Sequence, residues 1–284
     1  MINNKSQRVV FFGSGYYTIP IVEKIKEHGL VLVVTTEPAG EFVDYLKKEN
    51  IPYIYSKLKK EEDILRIKGV EPDLGILASY GAIIPREILY LFLKGILNIH
   101  PSLLPKYKGP SPVQYAILNG DTKSGTTIIK LDEKIDHGPI VEQEEIALFG
   151  NETLKNLTEK LFTIGREMII EIVQKIEDGL PIKETKQDSF GEVFTKKITK
   201  DDGFINLDSP PAPDQLERMI RAYYPWPGVW FHAPSLARGT LANKIIKLLP
   251  QGKLQVEGKN IMSLKDFENG YPEGQEILKK LNMA

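Results

Sequence analysis

The chain contains no cysteine. That excludes disulfides, thiolate nucleophiles and cysteine-held metals, and it is compatible with a reducing cytosol without requiring one. Histidine is scarce: His28, His100, His137 and His232 are the only four, with no HExxH-like spacing, so no zinc site is expected. An excess of one charge is also missing, because Lys+Arg 37 stand against Asp+Glu 38, and any polyanion site must therefore be local. No apolar run approaches the ~20 residues of a membrane span, and the opening MINNKSQRVVFF lacks the apolar core and cleavage site of a signal peptide. The expectation is a cytoplasmic protein with no membrane partner. What remains is ordinary globular composition, 42% hydrophobic and 26% charged, over 284 residues, enough for one large or two ordinary domains.

Taken in order, the chain alternates short apolar runs with helical patterns. RVVFF (8–12) leads into Gly13-Ser14-Gly15 and then a helix carrying Ile19, Val22 and Ile25. The turn lacks the third glycine of GxGxxG and the GK[ST] of a P-loop, so a plain strand-to-helix turn is favoured over a dinucleotide fingerprint. LVLVVTT (30–36), a helix around 41–49, IPYIY, DLGILAS (73–79) and a helix from about Pro85 continue the alternation. It predicts a doubly wound, mostly parallel, Rossmann-like α/β sheet. After ILNIH (96–100) come a helix over 111–118, strands at 126–131 and 139–148, and a long helix opening near Asn151. Its stripe of Leu157, Leu161, Ile164, Met168, Ile172 and Ile176 is core. A polar stretch holding SPPAP (209–213) predicts a linker over 183–214. It separates a first domain (1–182) from a small β-rich second one (215–284) with a short helix over 215–222 and strands near VWFHA, KIIKLL and KLQVEG.

The chemistry gathers in residues 96–140. In a strand, Asn98 and His100 project to one face, and the following Pro-Ser-Leu-Leu-Pro must leave the sheet, which puts both at a strand's carboxyl end. A neutral imidazole can take a proton from an attacking amine near neutral pH, and a carboxylate such as Asp136 can orient it. An amide donor such as Asn98 can bind the oxygen of a tetrahedral intermediate, worth roughly 2.7–4 kcal/mol. Together they fit acyl transfer to nitrogen. With no GxSxG serine and no cysteine, direct attack is favoured over a covalent acyl-enzyme. Taken singly, each has a plainer reading: His100 a hydrogen-bonded structural group, Asn98 a turn cap, Asp136 a turn former.

In combination, Asn98-x-His100, Ser102-Leu-Leu-Pro105, Gly109, Gly125-Thr-Thr and Asp136-x-Gly138 resemble the 10-formyltetrahydrofolate-dependent formyltransferase family. The resemblance implies formyl transfer from 10-formyltetrahydrofolate, a co-substrate, to an amine, with no metal. Carried over by position, Asn98 would polarise the formyl oxygen, His100 would assist proton transfer, and Asp136 would support His100 and protonation of the leaving nitrogen. The folate pocket would involve Tyr80, Gly81, Ile83 and Ile84, with Asp132, Lys134 and the Ser102, Leu103, Leu104, Pro105 turn. Downstream, Ile220-Arg221-Ala222, Pro225-Trp226-Pro227-Gly228 and GKNIMSLKDFENG (258–270) resemble the C-terminal domain of methionyl-tRNA formyltransferases, an OB-like module. That implies initiator methionyl-tRNA as acceptor, in translation initiation, by a protein expected to be a monomer. Residues 221–284 hold nine Lys/Arg against five Asp/Glu, a modest excess that fits either a tRNA backbone or a solvated face. The aromatics Tyr223, Tyr224, Trp226, Trp230 and Phe231 are expected in the core. Against the pattern, no long basic loop follows Thr35-Thr36-Glu37-Pro38, Lys108-Gly109 replaces Arg-Gly, and the second domain is short for a full barrel. A sugar-nucleotide N-formyltransferase and a non-catalytic folate- or RNA-binding protein are the competing readings.

Overall fold

A computed structural model describes residues 7–234 and 241–283. The first strand shows how the core forms. In β1 (Val9–Gly13) every residue is buried, Val9 and Phe11 entering one apolar cluster and Val10 and Phe12 the other. Successive side chains point to opposite faces, so a continuous apolar run requires cover on both. The cover comes from helices. α1 (Ile19–Ile25), α2 (Glu41–Lys48) and α6 (Leu154–Glu177) supply Ile21, Val22, Phe42, Leu46, Ile169 and Ile172 to the first cluster, while α3 (Glu61–Gly69) and α4 (Arg86–Leu89) supply Ile67 and Ile88 to the second. Each such side chain contributes about 1.5–3 kcal/mol when fully buried.

The remaining strands are β2 (Leu30–Thr35), β3 (Tyr53–Tyr55), β4 (Leu74–Ala78), β5 (Ile96–His100), β6 (Lys123–Lys130) and β7 (Ile140–Ala147). They form one sheet in the order β3-β2-β1-β4-β5-β6-β7. Strands β1 to β5 pair in parallel, and β6 runs antiparallel to β5. The fold is the Rossmann-like α/β sheet expected. β5 is held on both sides, with Leu77 opposite Asn98 on β4, and with Ile129 opposite Asn98 and Thr127 opposite His100 on β6. From below it is approached by α6 at Gly165, where a Cβ would come within 2.3 Å of the Ile99 side chain. The strand that carries the two polar side chains is therefore fixed in register and in depth.

The chain divides into two compact units, the first comprising residues 1–112, 124–146 and 158–195, the second 113–123, 147–157 and 196–284. The polar stretch 183–214 is split between them. Within it Thr185 pairs with Ile140 through two 2.8 Å backbone bonds, and Val193 and Thr195 bond Lys108. The second unit contains α5 (Pro112–Leu118) over most of its length, α7 (Pro213–Tyr223), β8 (Val229–His232), β9 (Ile245–Leu249), β10 (Lys253–Val256) and β11 (Ile261–Ser263), then α8 (Leu264–Gly270) and α9 (Gly274–Lys280). Its sheet is antiparallel and four-stranded, in the order β11-β10-β9-β8. Tyr223, Trp230 and Phe231 are core residues, as expected. Tyr224 and Trp226 are not: they stand 42% and 56% exposed, because the proline-flanked turn that carries them has no strand pairing to draw them inward. Among the described residues no helix is long and apolar enough to cross a membrane.

Candidate active site

β5 ends at His100, and Asn98 and His100 are both buried there. The loop between β6 and β7 brings Asp136 against them. Asn98 Nδ2 donates to Asp136 Oδ1 over 3.3 Å, Asp136 Oδ2 lies 3.6 Å from His100 Nδ1, and the Gly109 N–H donates to the same oxygen over 2.7 Å. One carboxylate thus touches all the groups expected to act. His100 Nε2 lies 3.0 Å from the Tyr107 carbonyl. A carbonyl can only accept, so Nε2 carries a hydrogen and Nδ1 is the ring nitrogen that faces Asp136.

The loop that delivers Asp136 is constrained from several directions. Asp136 adopts φ +48°, in the left-handed region that Asp tolerates better than most residues. Gly138 approaches the β6 backbone so closely that a Cβ would meet the Lys130 carbonyl at 1.8 Å. Gln187 Nε2 donates to the carbonyls of both Asp136 (2.9 Å) and Gly138 (2.8 Å). Two acceptors facing one atom require that atom to be the nitrogen, so the amide orientation is settled. On the opposite side, Lys108 is buried, with its ammonium paired at 2.5 Å with Glu192 and its backbone bonded to Val193 and Thr195. This holds Gly109 in place as the donor to Asp136.

The residues expected around a folate fall into two groups. Tyr80 is 1% exposed, its hydroxyl donates to the Ser56 carbonyl, and burial, with the Asp63 carboxylate second, holds that hydroxyl well above the ordinary phenol range. Ser102 and Leu104 are buried as well, with Ser102 Oγ donating to the Lys106 carbonyl. The Leu104 N–H is held by Thr127 Oγ1, and the Leu104 carbonyl by Gln143. Gly81, Ile83 (76% exposed), Leu103, Pro105 and Lys134 reach the surface to differing degrees, and Ile84 is buried. Asp132 accepts from the Lys134 N–H and lies 2.6 Å from His137 Nδ1.

The Gly13-Ser14-Gly15 turn is already occupied. The Gly15 N–H donates to Glu37 Oε2 over 2.9 Å, and Ser14 Oγ bonds Thr35 and Thr36. A carboxylate therefore sits where a phosphate would, in keeping with a plain strand-to-helix turn. Among the described residues, no group of three or more His, Asp or Glu could hold a metal ion.

Sequence reasoning did not find Gln187, the Tyr107 carbonyl, or the Thr127–Gln143 pair that ties the Leu104 turn to the sheet. Only Thr127 carried a signal, as part of Gly125-Thr-Thr.

A formyl transferase family model matches residues 7–173, and a model of the formyl transferase C-terminal domain matches residues 197–251. A methionyl-tRNA formyltransferase of Roseiflexus sp. (strain RS-1) is 37% identical over 244 residues, covering 80% of this chain and 74% of the relative. One from Thermodesulfovibrio yellowstonii is 30% identical over 301 residues, covering 93% and 96%. Among solved structures, a sugar N-formyltransferase from a Shewanella species superposes with a TM-score of 0.67 at 18% identity over 86% of this chain and 96% of that one, a likeness of fold.

Proposed function

The chain belongs to the formyl transferase family, and from that premise we propose that it passes the formyl group of 10-formyltetrahydrofolate to the amino group of initiator methionyl-tRNA. The observation that carries the site assignment is the single Asp136 carboxylate bridging Asn98, His100 and the Gly109 N–H at the end of β5. Support for the acceptor comes from relatives of that name that match most of the chain.

In this reading the amine nitrogen adds to the formyl carbon, and the bond from that carbon to the folate nitrogen then breaks. Asn98 Nδ2 has two hydrogens. One is directed at Asp136, and the other donates to the formyl oxygen as it gains charge. His100 accepts the amine proton at Nδ1, because its Nε2 hydrogen is held by the Tyr107 carbonyl. Asp136 stabilises that proton and, through the ring, allows its return to the leaving folate nitrogen. The folate is held by the backbone of 80–84 and 132–136, since the Tyr80 side chain is committed to the core.

A sugar-nucleotide acceptor is the second reading, favoured by one local feature: the connection between β2 and α2 is only residues 36–40, leaving no room for a basic loop. Incubating the purified protein with 10-formyltetrahydrofolate and charged initiator tRNA should give formylmethionyl-tRNA. No product there, with turnover of a nucleotide-linked amino sugar, would replace the first reading by the second.

A further inference from the structure

The carboxyl edge of the main sheet carries one charged side chain that formyl transfer, as derived above, does not use. In the order β3-β2-β1-β4-β5, strands β1 to β3 wind one way and β4 to β5 the other, so the crevice of the sheet opens between β1 and β4. Tyr17, after β1, and Ser79, after β4, share a 2.7 Å hydrogen bond across it. The end of β1 lies two strand spacings from Asn98 and His100 on β5, about 10 Å. Glu37, two residues past β2, leans over the end of β1 and accepts the Gly15 N–H at Oε2 over 2.9 Å. Its neighbour Thr36 donates to the Tyr80 carbonyl over 2.7 Å, in the segment read as holding the folate. Glu37 thus borders the folate segment on the side away from β5 and β6, the part of the edge that the folate leaves to the acceptor.

Glu37 is half-buried, with one oxygen in use and the other open. Among the described residues no cation pairs with it and Oε1 receives no hydrogen bond. Gly40 keeps that oxygen uncovered, because a Cβ there would come within 2.4 Å of it. A carboxylate with no cation, past the end of β2 and 22 positions after the glycine it holds, is placed as α/β sheets place the acid that accepts from ribose hydroxyls. The same carboxylate disfavours a phosphate. The Gly15 N–H that such a group would use is taken, and two anions would face each other. A carboxylate that only fastened the turn would make the same Gly15 bond, so the two roles separate on the substrate.

We propose that Glu37 Oε1 accepts a hydrogen bond from a sugar hydroxyl of the acceptor, near the amine that receives the formyl group, and so selects acceptors with a hydroxyl at that point over acceptors with a phosphate. In a charged tRNA this is the free 2′-OH of the terminal ribose, which only the ester linkage separates from the amine. In a nucleotide-linked amino sugar it is a ring hydroxyl. The proposal rests on the formyl-transfer reading but not on which of the two is the acceptor.

The test is a cycle between Glu37 and the hydroxyl. Formyl transfer is measured as kcat/KM for the wild type and Glu37→Ala. One pair of substrates is initiator tRNA charged with methionine on the 3′ oxygen of a terminal adenosine or of a terminal 2′-deoxyadenosine. The other is a nucleotide-linked amino sugar, intact or deoxygenated at each ring position in turn. With whichever acceptor turns over, the wild type should prefer the hydroxyl by about 10- to 100-fold, as for a hydrogen bond to a charged group. Glu37→Ala should bring that preference close to one while leaving the deoxy substrate nearly unaffected. Glu37→Gln keeps the Gly15 bond, so its Tm should match wild type while the preference falls several-fold, and it carries the comparison if circular dichroism shows Glu37→Ala unfolded. A preference absent from the wild type, or undiminished in the variants, would assign Glu37 to the turn alone and overturn the proposal with formyl transfer intact. Turnover of neither acceptor would overturn the formyl-transfer reading and this proposal with it.

Discussion

The role proposed for His100 rests on a neighbour with no side-chain chemistry, the Tyr107 carbonyl, which takes the Nε2 hydrogen and leaves Nδ1 to face Asp136. In that proposal the ring acts as a base through one nitrogen. His100→Ala should lower kcat by about 10²–10⁴-fold with folate affinity kept, checked by steady-state kinetics beside a folate titration. Asn98→Ala should cost about 10²–10³-fold, again in kcat. An effect confined to KM for either variant would assign the residue to binding rather than to chemistry. Asp136→Asn keeps an oxygen for the Gly109 N–H but loses the charge beside Nδ1, so it too should lower kcat with little change in Tm. That Asn98 and His100 share one face was legible in the strand periodicity, and Asp136, a plain turn former when taken singly, was reached through the ordered set of motifs; the structure brings the three together. The tautomer was not legible, since it depends on where a backbone carbonyl seven residues away comes to lie.

At the scale of elements, the loop carrying Asp136 is held by the segment after α6, through Gln187. Gln187→Glu would set a carboxylate oxygen against two carbonyls, whereas Gln187→Leu only removes two hydrogen bonds. The Glu variant should therefore lose more kcat than the Leu variant, and equal losses would argue against this positioning role. A second tie lies in the other unit. Burial pulls the Glu152 carboxyl upward, but the N–H groups of Phe149, Gly150 and Glu152 itself, with Arg221, outweigh it and leave the group below its usual range. A lowered carboxyl stabilises the fold above its unfolded range and loses that contribution as pH falls through the folded one. Glu152→Gln should cost about 1 kcal/mol at neutral pH, seen as a Tm drop that shrinks toward wild type on acidification.

The strands of the main sheet were readable because apolar runs bounded by glycine and proline leave few alternatives. α3 was missed because, of its residues, only Ile67 is fully buried, which gives too narrow a stripe to detect. α8 had a legible signal, Ser263 and Asp266 forming a reciprocal cap, that went unused. The contacts of Gln187, Glu192 and Thr195 were not legible at all, since polar residues in irregular chain have no period and their partners lie 49 to 87 positions away.

For the molecule as a whole, the balance of 37 basic and 38 acidic residues means that no overall field selects an RNA acceptor. Selection must then come from local surfaces, and the absent loop between β2 and α2 removes one place where a basic surface could have been. The most direct test is formyl transfer measured side by side, as kcat/KM, with charged initiator tRNA and with a panel of nucleotide-linked amino sugars, using His100→Ala as the control. The account predicts turnover of the tRNA, little or none of the sugars, and loss of the tRNA reaction in the variant. Preferred turnover of an amino sugar, or tRNA formylation that survives the loss of His100, would contradict it.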